Sequence, residues 1–184
     1  MSRRDEYQPG PADAARVEKN GDQWTLIVVK MLRHGPEQVW EALTDPDQLR
    51  EWAPFDPDRN LDGVGAIRLT TAGMGDAPVP ECEVTRADRP HRLEYNWGGQ
   101  SLRWELEAEG TGTKLTLWHN IDRNFIAMGA AGWHLCLDVM AAYLDGDPMG
   151  RIVAGDALKF EGWQRLHREY QAKFGVKSAD EEAE

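Results

Sequence analysis

Residues 132–146, GWHLCLDVMAAYLDG, hold the side chains of this sequence that most resemble a reactive cluster. His134, Cys136 and Asp138 lie close together in the chain and could be imagined as a nucleophilic or metal-binding set. On a helix each residue advances by about 100°, so His134 and Asp138 stand about 40° apart while Cys136 lies about 160° from each of them. One metal ion or nucleophile could not use all three. We therefore predict a solvated surface pair of His134 and Asp138, with Cys136 as a core thiol.

The other candidates for chemistry are isolated residues. The chain contains no CxxC, HExxH or GxSxG pattern and no glycine-rich phosphate loop, so we predict neither a metal nor a cofactor. His119 alternates in phase with Leu115 and Leu117 and should face the apolar side of a strand. A histidine there is either a satisfied core residue or the polar anchor of an apolar pocket. Tyr95 is the only side chain that we pair with His119 as a weak acid–base candidate.

The composition excludes several classes of partner. The 32 acidic and 21 basic side chains give a formal net charge of -11, and such a surface repels phosphate backbones and anionic lipids. We therefore expect neither nucleic-acid nor membrane binding. The first residues lack the apolar core of a signal peptide, and no window approaches the ~20 apolar residues of a membrane span. With Cys82 and Cys136 expected to stay reduced, the sequence indicates a cytoplasmic protein.

Residue periodicity predicts an α+β domain. Residues 24–32 should form a strand, and two short helices should follow it, starting at Pro36 and Pro46. Five further alternating strands, joined in part by glycine turns, complete an antiparallel sheet of about six strands; they span residues 66–71, 81–86, 91–97, 101–107 and 113–120. The longest helix, roughly 125–145, should lie across the apolar face of the sheet and leave a cavity between them.

The same reading divides the chain into four regions. Residues 1–21 lack periodicity and are predicted to be a flexible N-terminal arm, ahead of the domain at 22–147. Residues 148–175 should form an additional C-terminal helical segment that folds back on the body, and 176–184 an acidic disordered tail.

The stretch RHGPEQVWEALTDPDQLREWAPF resembles the entry signature of the START-like (SRPBCC) superfamily. More narrowly, it is similar to bacterial homologues of the C-terminal domain of the activator of the heat-shock protein 90 ATPase. In that family a Pro-x-x-Val-Trp helix is followed by Thr-Asp-Pro and then by a Trp with a Pro close behind. The matching residues are Pro36, Val39, Trp40, Thr44, Asp45, Pro46, Trp52 and Pro54. With the later LEYNWGG, LRWELE and LDGDP stretches, the resemblance covers about residues 22–147.

This resemblance implies a helix-grip fold, in which a curved antiparallel sheet wraps around a long C-terminal helix and encloses a cavity. Members of the superfamily bind sterols, lipids, polyketides or plant hormones, and some are cyclases or ring-hydroxylase subunits. Co-chaperone activity is associated with an additional N-terminal domain carrying an Asn- and Trp-rich motif, and no such motif precedes the first predicted strand here.

The leading functional hypothesis is the binding of a small hydrophobic or amphipathic molecule between the sheet and the long helix, with Tyr95 and His119 as hydrogen-bonding anchors. The predicted lining residues are Trp52, Phe55, Leu69, Tyr95, Trp97, Trp104, His119, Trp133, Leu137 and Met140. One alternative is a polyketide-cyclase-like or hydrolase-like enzyme acting in the same cavity through His119 and Tyr95. Another is a stress-related, co-chaperone-like interaction protein. The sequence leaves open the identity of the ligand, a homodimer and a chaperone partner.

Overall fold

A computed structural model of the protein describes residues 3–176 and contains one curled antiparallel sheet that grips a long helix. The strands are β1 (Ala15–Asn20), β2 (Gln23–Leu32), β3 (Phe55–Pro57), β4 (Gly65–Thr71), β5 (Glu81–Asp88), β6 (Arg92–Trp97), β7 (Gln100–Glu109) and β8 (Gly112–Asn120). The helices are α1 (Arg3–Glu6), α2 (Pro36–Thr44), α3 (Pro46–Leu49), α4 (Ile126–Leu144), α5 (Ala154–Lys159) and α6 (Glu161–Phe174). The predicted α+β class and helix-grip fold are confirmed.

The sheet has eight strands rather than about six, in the order β1-β2-β8-β7-β6-β5-β4-β3, with every neighbouring pair antiparallel. Both strands that sequence reasoning missed lie at the edges. β1 is mostly exposed and therefore lacks the apolar alternation that marks a half-buried strand. β3 has only three residues, two of them in the stretch 56–63 that the sequence predicts as a polar loop, and it pairs with the end of β4.

The helix entry after β2 forms as predicted. Pro36 begins α2, and Asp45 caps α3 by accepting a hydrogen bond from the backbone N–H of Asp47 at 2.9 Å. Trp52 is buried and donates its indole N–H to the carbonyl oxygen of Ala42 at 2.9 Å, which fixes the chain after α3 against α2. The Pro, Asp and Trp of the entry signature therefore have structural roles.

The N-terminal segment differs from the predicted flexible arm of residues 1–21. Besides β1 it contains the short helix α1, and Tyr7 stacks on Phe160 with ring centroids 5.9 Å apart. Arg165 of α6 donates to the carbonyl oxygens of Pro9 and Gly10 at 2.6 and 2.9 Å. The partners of this segment are distant in the chain, so local periodicity could not reveal its order. The predicted acidic tail, apart from Val176, lies outside the described residues.

α4 is the central helix and is buried on nearly all sides, because the sheet packs on one side and α6 on another. By length and composition, the stretch Arg123–Leu144 could cross a membrane, although no such stretch was predicted from the sequence. In the structure, 67% of its apolar window is buried inside the protein. A helix that is apolar almost all round is expected at the core of a folded domain.

The predicted solvated pair of His134 and Asp138 is wrong, because α6 and the N-terminal segment cover that side of α4. His134 is only 6% exposed, and its Nδ1 forms a 2.8 Å hydrogen bond with the hydroxyl of Tyr170. Asp138 accepts hydrogen bonds from Tyr7 Oη and, at 2.5 Å, from Lys30 Nζ. Burial lowers the pKa of His134, while the nearby Asp138 carboxylate opposes that shift. The pair thus connects α4 with α6, β2 and the N-terminal segment inside the protein.

Candidate functional site

A cavity of about 570 Å³ lies at one end of α4, where the helix, the sheet and the segment after residue 150 meet. Trp97 and His119 from the sheet and Trp133 from α4 form part of its wall. Gly129, Gly132 and Cys136 provide the adjoining surface of α4. None of the cavity-lining residues in the described part of the chain is Asp, Glu, Lys or Arg. The cavity is therefore apolar, with a few neutral polar groups.

The segment around α5 and the loop after β4 cover this cavity. Ile152, Val153 and Leu158 line it from one side, and Gly73 lines it from the other. The two sides touch, since a Cβ built on Gly73 would stand 2.5 Å from the Cβ of Ala154. Gly73 also has a φ of +83°, a left-handed conformation that glycine tolerates best. This glycine thus allows the cover to approach the loop closely.

The rim of the cavity is unusually apolar for a solvent-facing surface. Met74, Phe125 and Leu158 all line it and are 59%, 50% and 51% exposed. The described part of the chain has only two other large hydrophobic side chains with such exposure, Met31 and Val64. Clustering of exposed apolar side chains around an opening is typical of a binding site rather than of ordinary surface.

A chain of three hydrogen-bonded side chains runs along the wall, and its directions are fixed by chemistry. The indole N–H of Trp133 can only donate, so Nδ1 of His119, 3.0 Å away, must accept. A neutral His119 therefore carries its proton on Nε2 and donates it to Oε1 of Gln100 at 2.7 Å. Both ring nitrogens of His119 are occupied.

This environment holds His119 in its neutral form. The side chain is 2% exposed, and burial lowers the pKa of His119 to about 4. Because its accepting nitrogen faces an indole N–H, His119 cannot take a proton from a bound molecule without breaking that bond. Its proposed partner Tyr95 does not share a hydrogen bond with it; the Tyr95 hydroxyl instead accepts from Trp104 Nε1 at 3.0 Å. The His119–Tyr95 pairing is therefore not formed.

The indole N–H groups of Trp97 and Trp133 are both bonded within the protein. Trp97 donates its indole N–H to Thr71 Oγ1 at 2.9 Å, while Trp133 is bonded to His119 as described. Trp97 and Trp133 meet edge to face at 6.2 Å, and Trp104 packs against Trp133 at 5.4 Å in the same manner. Trp97 and Trp133 thus form a rigid aromatic wall that offers a ligand their ring surfaces and not their N–H donors.

The structure brings together only part of the predicted lining. Trp97, His119 and Trp133 line the cavity. The remaining predicted residues are buried and lie outside this lining; they are Trp52, Phe55, Leu69, Tyr95, Trp104, Leu137 and Met140. These side chains pack in the core between the curled sheet and α4, so they do not reach the open space at the end of the helix.

Several lining residues escaped the sequence analysis. Gln100 and Thr71 lie at strand ends, and their polar side chains gave no periodic signal. Gly132 lies within the long helix, where glycine lowers helix stability relative to alanine. A glycine at such a position could have indicated that the helix borders open space there. Ile152 to Leu158 could not be placed over the cavity without the tertiary structure.

A second cavity of about 620 Å³ lies on the other side of α4 and has a more polar lining. It adjoins Lys30, His134 and Asp138, whose hydrogen bonds connect α4 with β2 and α6 as described above. Leu137, predicted to line a ligand cavity, faces this one instead. Charged side chains line this second cavity, among them the ion pair of Lys30 and Asp138, so we assign the apolar ligand to the first cavity.

Within residues 3–176, no group of three His, Cys, Asp or Glu side chains is placed to hold a metal ion. Cys82 and Cys136 are both free thiols and buried. Cys136 borders the cavity, but burial raises the pKa of its thiol to about 12, so the reactive thiolate is scarce. The site thus offers shape, ring surfaces and neutral hydrogen-bonding groups.

Known proteins share this architecture. The family described as "Activator of Hsp90 ATPase homolog 1-like protein" matches residues 33–145. The crystal structure of CalU16 from Micromonospora echinospora is 20% identical, with a TM-score of 0.62 over 88% of this chain and 92% of that one. EF2215 from Enterococcus faecalis, a conserved protein of unknown function, is 16% identical, with a TM-score of 0.66 over 88% and 91%.

DynU16, a protein of the dynemicin biosynthetic locus, is 23% identical, with a TM-score of 0.61 over 73% of this chain and 52% of that one. At these identities the likeness shows a shared fold. No curated protein matches the chain.

Proposed function

The chain belongs to the family of activator of Hsp90 ATPase homolog 1-like proteins, and on this premise we propose that it binds a small apolar or amphipathic molecule in the cavity at the end of α4. The family fold is that of a ligand-binding helix-grip domain in general. The observation that carries the proposal for this chain is the aromatic cavity with its exposed apolar rim.

The size and lining of the cavity support this function. Its volume of about 570 Å³ lies within the range of small-molecule sites, which run from about 300 to 1,000 Å³. A ligand that covers Met74, Phe125 and Leu158 would remove their exposed apolar surface from water, which contributes roughly 25 cal/mol for each Å² buried. The ring surfaces of Trp97 and Trp133 suit a flat or cyclic molecule.

The same geometry favours binding over catalysis. A general base must be free to accept a proton, whereas Nδ1 of His119 is already an acceptor for Trp133. Carboxylates are absent from the cavity lining in the described part of the chain. We therefore propose a carrier or sensor of its ligand rather than a cyclase or hydrolase.

A side chain introduced at Gly132 tests the proposal. A Cβ at this position would meet no heavy atom within 4 Å, and the residue borders the cavity. Gly132→Phe should therefore place its ring in the cavity without disturbing the fold. Gly132→Ala is the matched control, because it changes the same backbone position but leaves most of the cavity open.

The readout is native mass spectrometry of freshly purified proteins, followed by titration with the neutral fluorescent probe N-phenyl-1-naphthylamine. We expect wild type and Gly132→Ala to carry a small molecule that is released on denaturation, and to bind the probe. Gly132→Phe should keep its cooperative unfolding transition but bind the probe at least about 10-fold more weakly. Equal binding by a folded Gly132→Phe protein, or no binding by wild type, would overturn the proposal.

A further inference from the structure

We propose that the cavity selects neutral ligands that carry a hydrogen-bond acceptor, such as the carbonyl oxygen of a cyclic ketone, and that Gln100 and Thr71 supply the donors. This inference rests on the proposed function and adds the chemical class of the ligand. It follows from the directions of the hydrogen bonds in the cavity wall and from the charge of the lining.

The first donor is the amide of Gln100. Its carbonyl oxygen is used by His119, whose Nε2 must donate because Nδ1 accepts from Trp133. With its oxygen engaged by His119, Gln100 has its NH₂ group available as a donor to a molecule in the cavity. Reversing this assignment would place two donors against each other at 2.7 Å or leave the Trp133 indole facing a second N–H. A relay of three side chains thus ends in a donor at the cavity.

The second donor is the hydroxyl of Thr71. Its Oγ1 accepts the indole N–H of Trp97 at 2.9 Å, which leaves the hydroxyl proton to be donated. Thr71 and Gln100 both border the cavity, and both adjoin Trp97, since Gln100 is the cross-strand partner of that residue. The polar groups on the two sides of Trp97 therefore present donors.

The charge of the site defines the rest of the class. No charged side chain lines the cavity within residues 3–176, so a carboxylate or an ammonium group buried there would lack a counter-charge. The formal net charge of -11 further disfavours anions. A ligand with an apolar ring system and a neutral acceptor satisfies the donors at no such cost.

The probes that test this inference are 1-tetralone and tetralin, which share a bicyclic skeleton and differ in one carbonyl oxygen. Binding is followed by NMR through the indole N–H resonances of Trp97 and Trp133. A buried carbonyl without a donor costs affinity, whereas a donor recovers it. We expect wild type to bind 1-tetralone about 10-fold more tightly than tetralin.

The variant Gln100→Glu removes the NH₂ donor but keeps an oxygen acceptor for His119. It should reverse the order, so that tetralin binds more tightly than 1-tetralone. Gln38→Glu makes the same chemical change on an exposed position of α2 and should behave as wild type. Gln100→Met removes the donor without adding charge, and it should also favour tetralin if Gln100→Glu does not fold.

The outcomes separate the two proposals. If wild type binds both probes equally, or if both Gln100 variants keep the preference for 1-tetralone, this inference is overturned and the binding function stands. If neither probe perturbs the indole resonances, the binding function fails and the inference fails with it.

Discussion

At the scale of single residues, His119 shows how a titratable side chain can serve as structure. Burial lowers its pKa to about 4, from 6.5 for the unperturbed side chain. Between these two pKa values the folded protein binds fewer protons than the unfolded chain. The contribution of neutral His119 to the free energy of unfolding is therefore complete above about pH 6.5 and is lost as the pH falls toward 4. We expect His119 to remove about 2 kcal/mol of stability between about pH 7.5 and pH 5.

Urea unfolding of wild type and His119→Gln at several pH values in this window measures the effect. The variant should be less stable at neutral pH but should lose less stability on acidification. The buried His134 titrates in both proteins and cancels in the difference. Parallel pH profiles for the two proteins would contradict the prediction.

Gly132 allows a second prediction at this scale. Glycine inside a helix is less favourable than alanine by about 1 kcal/mol, and a Cβ at Gly132 would meet nothing within 4 Å. Gly132→Ala should therefore raise the free energy of unfolding by up to that amount. Gly129→Ala is the control in the same helix, where the new Cβ would stand 2.9 Å from Ile121 Cδ1 and the gain should shrink or change sign. Equal urea midpoints for Gly132→Ala and wild type would count against this account.

At the scale of elements, the sequence was informative wherever local chemistry decides the structure. The prolines and Asp45 placed α2 and α3, and alternation placed the five central strands, because each signal acts within a few residues. Prediction from the sequence failed where the contact that decides the structure joins residues far apart in the chain. His134 and Asp138 have the spacing of an exposed pair, and only the docking of α6 and Tyr7 makes them interior.

The candidate site shows the same division. Trp97, His119 and Trp133 were predicted from alternation and helical spacing, since both place them on the apolar side of their elements. Which apolar residues face open space depends on how tightly the sheet curls around α4. That curvature arises from the whole sheet, so Trp52 and Trp104 were predicted to line a cavity although both are 0% exposed in the core.

The cover over the cavity yields a prediction about an element. Arg151 donates to both carboxylate oxygens of Asp56 at 2.8 and 3.0 Å, which ties the segment before α5 to β3. The pair is partly exposed, so Arg151→Ala should change global stability by less than about 1 kcal/mol. It should nevertheless loosen the cover locally.

Hydrogen–deuterium exchange of peptides spanning 150–160 checks this expectation: exchange should accelerate there and remain unchanged in α4. Arg50→Ala, which removes the exposed contact of Arg50 with Asp47, is the control. Uniform acceleration across the protein would indicate global destabilisation instead of a released cover.

At the scale of the whole molecule, salt should change the stability of the fold but should leave the affinity of the cavity nearly constant. The net charge of -11 makes the folded surface repel itself, and salt screens that repulsion. The melting temperature should therefore rise between about 20 and 500 mM NaCl. The dissociation constant of a neutral probe should stay within about a factor of three over the same range, because no charged side chain among the described residues lines the cavity. Parallel melting and titration series separate the two effects, and a strongly salt-dependent dissociation constant would place a charged group in contact with the ligand.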